Sequence, residues 1–309
     1  MTFPPQGIVT VSNGVVFALA SAAKALSQGQ FGQFPLYAFT SEGVWALEVS
    51  ASGAYSARQP ITRDVCLDSH AITQIDSAVL FPSSRGIMLL SGSQAQCISD
   101  SIDSDTEFKI SALPGLRQAC ELAGSGVTHV FPIVPFIDFI RSCGMVYDYS
   151  HQRIVVYNPE HAYAYVFSLR SKMWAMMSSS LADTVNSYPE PLAVDKDGNL
   201  LDLSKEGSAL PGLLVSRPLK LGEADILKTV DTVIQRGHFR KGHVKSILYA
   251  SRDLFNWSVV GSSVSHILVN RLGTPYKYFR IVLVCALVGD ESISGSTVNY
   301  TPRFTRKIR

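Results

Sequence analysis

Phe34-Pro35-Leu36-Tyr37-Ala38-Phe39 runs into Thr40-Ser41-Glu42-Gly43 and leaves through Val44-Trp45-Ala46-Leu47-Glu48-Val49. Two short apolar runs on either side of a polar bend containing glycine read as a β-hairpin, because glycine accepts positive φ without steric cost. The unit recurs. Ser77-Ala78-Val79-Leu80-Phe81 leads through Pro82-Ser83-Ser84-Arg85-Gly86 into Ile87-Met88-Leu89-Leu90. Arg153-Ile154-Val155-Val156-Tyr157 leads through Asn158-Pro159-Glu160-His161 into Ala162-Tyr163-Ala164-Tyr165-Val166-Phe167, and Leu192-Ala193-Val194 leads through Asp195-Lys196-Asp197-Gly198 into Asn199-Leu200-Leu201-Asp202-Leu203. Gly43 and Gly86 lie 43 residues apart, within the roughly 40–50 residues of one four-stranded propeller blade. Later spacings are irregular and the Trp-Asp pair of the best-known propeller repeat is missing. Residues 1–210 are therefore expected to form a β-propeller-like array with three or four degenerate units, few for a closed ring of roughly 4–8 blades.

Between the second and third units the pattern changes. Leu116 to Ala123 and Pro135 to Cys143 each read as a short helix, the second with proline in its first turn and Gly144 after its end. They predict a helical insertion near residues 113–143, packed on the sheets of the first domain. After Pro211-Gly212 the runs lengthen: 226–235, 244–251, 256–260, 266–269, 276–288 and 292–300. Six strands separated by polar turns predict a β-sandwich over residues 211–309. Tyr276-Lys277-Tyr278-Phe279-Arg280-Ile281 alternates and then turns wholly apolar. Thr301 to Arg309, with Arg303, Arg306, Lys307 and Arg309, is expected to be a loosely held basic tail. The fold class is all-β.

The 309 residues are 46% hydrophobic and 17% charged, which excludes a disordered chain. The apolar run 281–288 is too short to span a bilayer, and no basic stretch precedes an apolar run at the N-terminus as a secretory signal would require. Cys66, Cys97, Cys120, Cys143 and Cys285 are dispersed and odd in number, which argues for free thiols in a reducing cytoplasm and against a disulfide framework or zinc site. Charge is divided. Residues 1–210 hold 12 Lys and Arg against 19 Asp and Glu, a difference of −7, and residues 211–309 hold 15 against 6, a difference of +9, which together give the net +2. Such a split suggests two domains facing different partners, or copies stacking acidic end to basic end.

The sequence carries no Walker loop, GxGxxG, HExxH or GxSxG motif. The histidines form no HxH or HxxxH pair, and no cofactor is implied. Asp195-Lys196-Asp197-Gly198-Asn199, with Glu206 at the twelfth position, partly matches a calcium loop, with Asp195, Asp197 and Asn199 as the ligands it would use. Its glycine falls at the fourth position instead of the sixth, so a plain hairpin turn is preferred. Ser251-Arg252-Asp253-Leu254-Phe255-Asn256-Trp257 looks like a departed form of the sialidase-type Asp-box, with Phe255 in place of glycine, and predicts a hairpin with Trp257 in the core. Asp100, Asp103, Asp105 and Glu107 cluster in a Ser-rich stretch that reads as hydrated surface. Arg236, His238, Phe239, Arg240, Lys241, His243 and Lys245 form a basic segment, the candidate interaction surface. It would dock on an acidic protein surface or, less favoured, contact phosphates with Phe239 stacked on a base.

Ser21 to Leu47, Pro60 to Cys66 and Arg85 to Ser93 resemble tail or neck structural proteins of tailed bacteriophages and prophages, especially those of gut Bacteroidales. The likeness lies in the polar bend followed by glycine, an aliphatic residue and Trp or Met, as in Gly43-Val44-Trp45 and Gly86-Ile87-Met88. The resemblance implies β-propeller-like units joined to β-sandwich modules and assembly into rings or sleeves. It also implies synthesis in the bacterial host cytoplasm, residence in the virion, and other virion proteins as partners of a homo-oligomer. Members of the family are longer at the N-terminus, so the chain is expected to belong to a longer protein. The resulting expectation is a non-enzymatic structural protein acting through protein–protein contacts. The alternatives are a carbohydrate- or receptor-recognition module using Trp45, Trp174, Trp257, Tyr163 or Tyr165 as stacking platforms, and a propeller-type glycoside hydrolase.

Overall fold

The structure is a computed structural model, and it describes residues 10–21, 36–49, 55–57, 59–102, 112–122, 134–187, 190–205, 210–223, 225–270 and 273–303. Nearly all of the regular structure is antiparallel β-sheet. The chain divides into two compact units, residues 1–107 with 131–205, and residues 108–130 with 206–309.

Among the described residues, the first unit holds four sheets in chain order. The first contains β1 (Val16–Ser21), β2 (Leu36–Thr40), β3 (Gly43–Val49), β4 (Tyr55–Ser56) and β5 (Pro60–Thr62), with β5 also pairing β3. The second contains β6 (Thr73–Ile75), β7 (Ala78–Ser83), β8 (Gly86–Ser91) and β9 (Gln94–Cys97). The third contains β10 (Gly144–Asp148), β11 (Arg153–Tyr157), β12 (Tyr163–Ser168) and β13 (Met173–Ser178), and the fourth β14 (Leu181–Ser187), β15 (Glu190–Asp195) and β16 (Leu200–Asp202). Apart from β5, each is a meander of sequential neighbours, the arrangement of propeller blades.

The blades pack face to face. Tyr37, Phe39 and Val44 of the first sheet share a core with Val79, Phe81, Met88 and Leu90 of the second. The other face of the second, through Leu80 and Ile87, meets Met145, Tyr147, Ile154, Val156, Tyr163 and Phe167 of the third. The remaining face of the third, through Val146, Val155 and Tyr157, meets Leu181 and Ala193 of the fourth. Alternate residues of a strand point to opposite faces, so an inner blade needs apolar residues at every position. This is why β7 and β11 read as unbroken apolar runs.

One device opens the central hairpin of every blade. Thr40, Ser83, Asn158 and Asp195 each accept the backbone N–H two residues on, from Glu42 at 3.1 Å, Arg85 at 3.1 Å, Glu160 at 2.9 Å and Asp197 at 3.0 Å. Short polar side chains that bond the backbone two residues ahead nucleate such turns. In the first two blades the hydroxyl also donates to the carbonyl of Gly43 or Gly86, whose φ values are 124° and 131°.

The second unit is a β-sandwich. One sheet orders β17 (Leu210–Val215), β22 (Tyr278–Leu287), β19 (Val244–Ser251) and β20 (Ser258–Ser263), and the other β21 (Ile267–Val269), β18 (Leu227–His238) and β23 (Ser292–Arg303). Val230 and Val233 of β18 pack between the sheets against Leu248, Phe279, Ile281 and Leu283. The outer face of the four-stranded sheet is covered by α1 (Leu116–Leu122), through Leu116, Ala119 and Cys120 against Ile247, Tyr249, Val282 and Val284.

Three expectations are corrected here. The segment near 113–143 is not one insertion on the propeller-like sheets. Its first helix, α1, belongs to the sandwich, held where the Tyr249 hydroxyl donates to the Pro114 carbonyl at 2.9 Å. Its second, α2 (Phe136–Phe139), stays with the blades, where Phe139 stacks on Tyr163 with ring centroids 4.9 Å apart. The division accordingly falls at 205/206, with 108–130 crossing over, instead of at 210/211. The basic tail does not begin at Thr301. Thr301 to Arg303 complete β23, with the Thr301 hydroxyl donating to Asp231 at 2.7 Å and Arg303 Nε to Thr229 Oγ1 at 3.0 Å. Residues 304–309 lie outside the described residues, as does most of the stretch from Ser21 to Leu47 that carries the resemblance.

Candidate interaction surface

The basic segment sits at one end of the sandwich, where β18 turns into β19 beside the bend between β22 and β23. A bulge at Arg236/Gly237 redirects the end of β18. Only glycine fits there, because a Cβ on Gly237, at φ 152°, would lie 2.1 Å from the Ser292 carbonyl oxygen. Phe239 then turns inward. It is 6% exposed, lies in the sandwich core and stacks on His266 with centroids 4.0 Å apart. The expected base-stacking role of Phe239 is therefore corrected: the ring plugs the open end of the sandwich.

Glu291 organises the turn that follows. Its carboxylate accepts the backbone N–H of Arg240 at 2.9 Å and of Val288 at 3.1 Å, and meets His243 Nδ1 at 2.6 Å. These bonds, led by His243, hold its pKa down from the ordinary 4.5 to about 2. His243 is thereby a structural partner within the turn. Arg236, His238, Arg240 and Lys241 remain exposed and Lys245 is half-buried. His238 comes within 3.8 Å of Asp290, an exposed pairing of little worth in water, and exposed Arg240 lies 3.9 Å from the covered Glu291 carboxylate. Val264 and Val288 flank the cations, both exposed. The arrangement can present positive charge around a small apolar patch to a partner.

A second surface escaped the sequence reading. On the fourth sheet, Ala193 and Leu181 face the third blade, so their neighbours face away. The pairings place Val194 and Leu200 in one outward row, and Val185, Leu192 and Asp202 in the next, while Asp183, exposed at a bulge opposite Val194, accepts the Thr184 N–H at 2.7 Å and lies beside the Tyr157 hydroxyl. Val185 is 54% and Leu200 68% exposed. Asp183, Glu190 and Asp202 are the acidic groups among and beside these aliphatics, with Lys196 and Lys205 at the margins; Lys205 approaches Asp202 at 3.5 Å. The signal in the sequence was the period-two spacing of Asp183 with Val185, and of Leu192 with Val194. Met173, Met176 and Met177 are also exposed on β13, an edge strand without charge, with Met173 and Met177 on one face and Met176 on the other.

The other candidates resolve into structure. The Asp195 carboxylate accepts the N–H groups of Asp197 and Asn199 and the Asn199 side-chain amide, which makes it a hairpin clamp. Glu206 lies outside the described residues. Asp253 accepts the N–H groups of Phe255 and Asn256 and the Asn256 amide. Those bonds depress its pKa well below the ordinary carboxylate value. The turn they close seats Trp257 in the core, under the Arg280 guanidinium at 5.0 Å, as expected. Tyr163 and Tyr165 are buried, and Trp174 donates Nε1 to the Ile98 carbonyl at 2.9 Å while packing beside Phe167, so none of these three offers a free stacking face. Trp45 is half-buried. Of the acidic cluster near residue 100, Asp103, Asp105 and Glu107 lie outside the described residues. Among the described residues, no three His, Cys, Asp or Glu side chains gather as a metal site, and no helix is long and apolar enough to cross a membrane.

No protein-family model matches the chain, and no curated protein matches it. Among solved structures, a chain described as a glycoside hydrolase is similar with a TM-score of 0.26 and 10% identity, over 94% of this chain and 85% of that one. A likeness at that score carries no argument about fold or activity.

Proposed function

We propose that the protein is a non-catalytic scaffold that works through protein–protein contacts, of the phage tail or neck class that its N-terminal third resembles. The observation supporting this reading is the unfinished blade stack. Each inner blade face is buried against a neighbour, yet the fourth blade ends on a face where Val185 and Leu200 are exposed and Leu192 and Val194 half-buried. An apolar sheet face rimmed by carboxylates is suited to a protein partner. The carboxylates with the most elaborate contacts, Asp148, Asp195, Asp253 and Glu291, are spent on holding turns or hairpins.

Mass spectrometry of purified particles from a host that carries the gene tests the reading. The chain should appear in fixed stoichiometry with the other virion proteins. Its absence from particles, or turnover of a glycan by the purified protein, would refute it.

A further inference from the structure

The scaffold reading leaves the partner open, and resting on that reading the charge distribution names it. Counted over the two compact units, the blade unit holds 10 Lys and Arg against 17 Asp and Glu, and the sandwich unit 17 against 8. The imbalance, −7 and +9, therefore persists when the chain is divided into its two compact units. It is also present locally. The outward face of the fourth blade has exposed Val185 and Leu200 with Asp183, Glu190 and Asp202 against Lys196 and Lys205, and the end of the sandwich has exposed Val264 and Val288 with Arg236, Arg240 and Lys241 against Asp290. Each patch mixes aliphatic and charged groups, and the net charges of the two are of opposite sign.

We infer that these two surfaces bind each other between copies, the fourth-blade face of one chain receiving the basic sandwich end of the next. Two different patches on one chain make a heterologous contact, which propagates into a closed ring or a sleeve. An isologous pairing of either patch with itself would bring like charges together, which costs affinity and steers wrong encounters apart. The contact is small. The seven residues of β14 at about 3.3 Å rise, across three strands about 4.8 Å apart, give a patch of roughly 300 Å². A stable pair usually buries about 800 Å² per partner. A single junction is accordingly weak, and assembly depends on protein concentration and on closure, which lets every junction hold at once. Opposite rims also make the association sensitive to salt, because exposed charges are screened.

Sedimentation velocity on the full chain tests this with two charge-swapped variants at exposed positions. Arg236→Glu with Lys241→Glu reverses the basic end without touching the Glu291 clamp, and Asp183→Lys with Glu190→Lys reverses the rim of the blade face. Circular dichroism and thermal melting confirm that both fold as the parent does. The parent should assemble at low salt, with a mean mass that rises with concentration, and dissociate at high salt. Each variant alone should remain a monomer, and an equimolar mixture should assemble again, because the swapped face of one then meets the swapped end of the other. A parent that is monomeric throughout, a variant that assembles as the parent does, or a mixture that stays dissociated would overturn the inference. A monomeric chain still present in particles would leave the scaffold reading standing, whereas absence from particles would overturn that reading itself.

Discussion

Alanine at Gly43 and at Gly86 tests whether the first two blades share one turn but differ in what surrounds it. Both glycines have φ in the region L-residues avoid, 124° and 131°, which costs about 1–3 kcal/mol for a residue with a side chain. A Cβ on Gly43 would lie 2.2 Å from the Thr62 carbonyl oxygen and 2.9 Å from Arg63 Cα. Both are backbone, and Thr62 belongs to β5, paired with Val44 of β3. Relief therefore means prising β5 from β3, with the loss of ladder bonds at about 0.5–1.5 kcal/mol each. Gly43→Ala is expected to cost about 2–4 kcal/mol. At Gly86 the obstruction is the Ser99 hydroxyl at 2.1 Å, a side chain that can rotate once it gives up the bond it accepts from the Ile87 N–H. Ser99→Ala removes the obstruction, so the double variant with Gly86→Ala should be more stable than the sum of the single losses, by about 0.5 kcal/mol or more. Urea unfolding followed by the fluorescence of the blade unit, whose tryptophans are Trp45 and Trp174, supplies the free energies. A Gly43→Ala protein within about 0.5 kcal/mol of the parent, or strict additivity at Gly86 and Ser99, would refute the account of these turns.

Three further outcomes follow from the packing and the charges. Phe81→Ala should cost about 3–5 kcal/mol by chemical denaturation, because the ring is fully buried between the first two blades and meets Phe39 edge-on at 5.2 Å. Asp148→Asn should cost about 1.5–3 kcal/mol, because this buried carboxylate receives Arg153 Nε at 2.8 Å and lies 2.7 Å from His151 Nδ1 across the β10–β11 hairpin; a melting temperature equal to the parent's would contradict it. Glu291 has a folded pKa depressed from 4.5 to about 2, so its contribution is present above pH 4.5 and disappears as the pH falls through 2. Hydrogen exchange at the Arg240 and Val288 amides should accelerate over that acid window, and Glu291→Gln should remove the pH dependence.

The all-β architecture was legible because its two signals are local. The hairpin bends at 40–43, 83–86, 158–161 and 195–198 all fall where strands reverse, and the runs beginning at 227, 244, 267 and 278 are strands within a residue or two of expectation. Both helical segments were also found, the second by Pro135 in its first turn and Gly144 after its end. What stayed hidden was which sheet each helix serves. Leu116, Ala119 and Cys120 lie more than a hundred residues from Ile247 and Val282 in sequence, and no pattern within a helix names its distant partner. The clue sat in β22, whose alternation gives way to an unbroken apolar run. Ile281 and Leu283 face the opposite sheet while Val282 and Val284 face α1, so a strand apolar on both sides announced a third layer. Phe239 misled for a similar reason. Its basic neighbours made it look like surface, although a chain turning at the open end of a sandwich needs an apolar plug.

The four blade hairpins show what selection by turn chemistry can leave behind. Their bends share no residue type, with Thr40, Ser83, Asn158 and Asp195 at the first position, and glycine at the last position of only three of them. A repeat sought by identity therefore fades after the second unit. The shared feature is a side-chain oxygen that captures the N–H two residues ahead, which a hydroxyl, an amide and a carboxylate all supply. Nothing equivalent restrains the outward faces, since a face needs only the residues its neighbour demands. The fourth blade keeps the same turn and the same inward packing as the others. Its outward face has exchanged part of the continuous apolar surface of an inner blade for Asp183 and Asp202 beside Val185 and Leu200. That mixture is too apolar for a surface meant only for water, and too charged for burial against another blade of its own kind. It suits the partner proposed above, the basic end of the sandwich in a second copy of the chain.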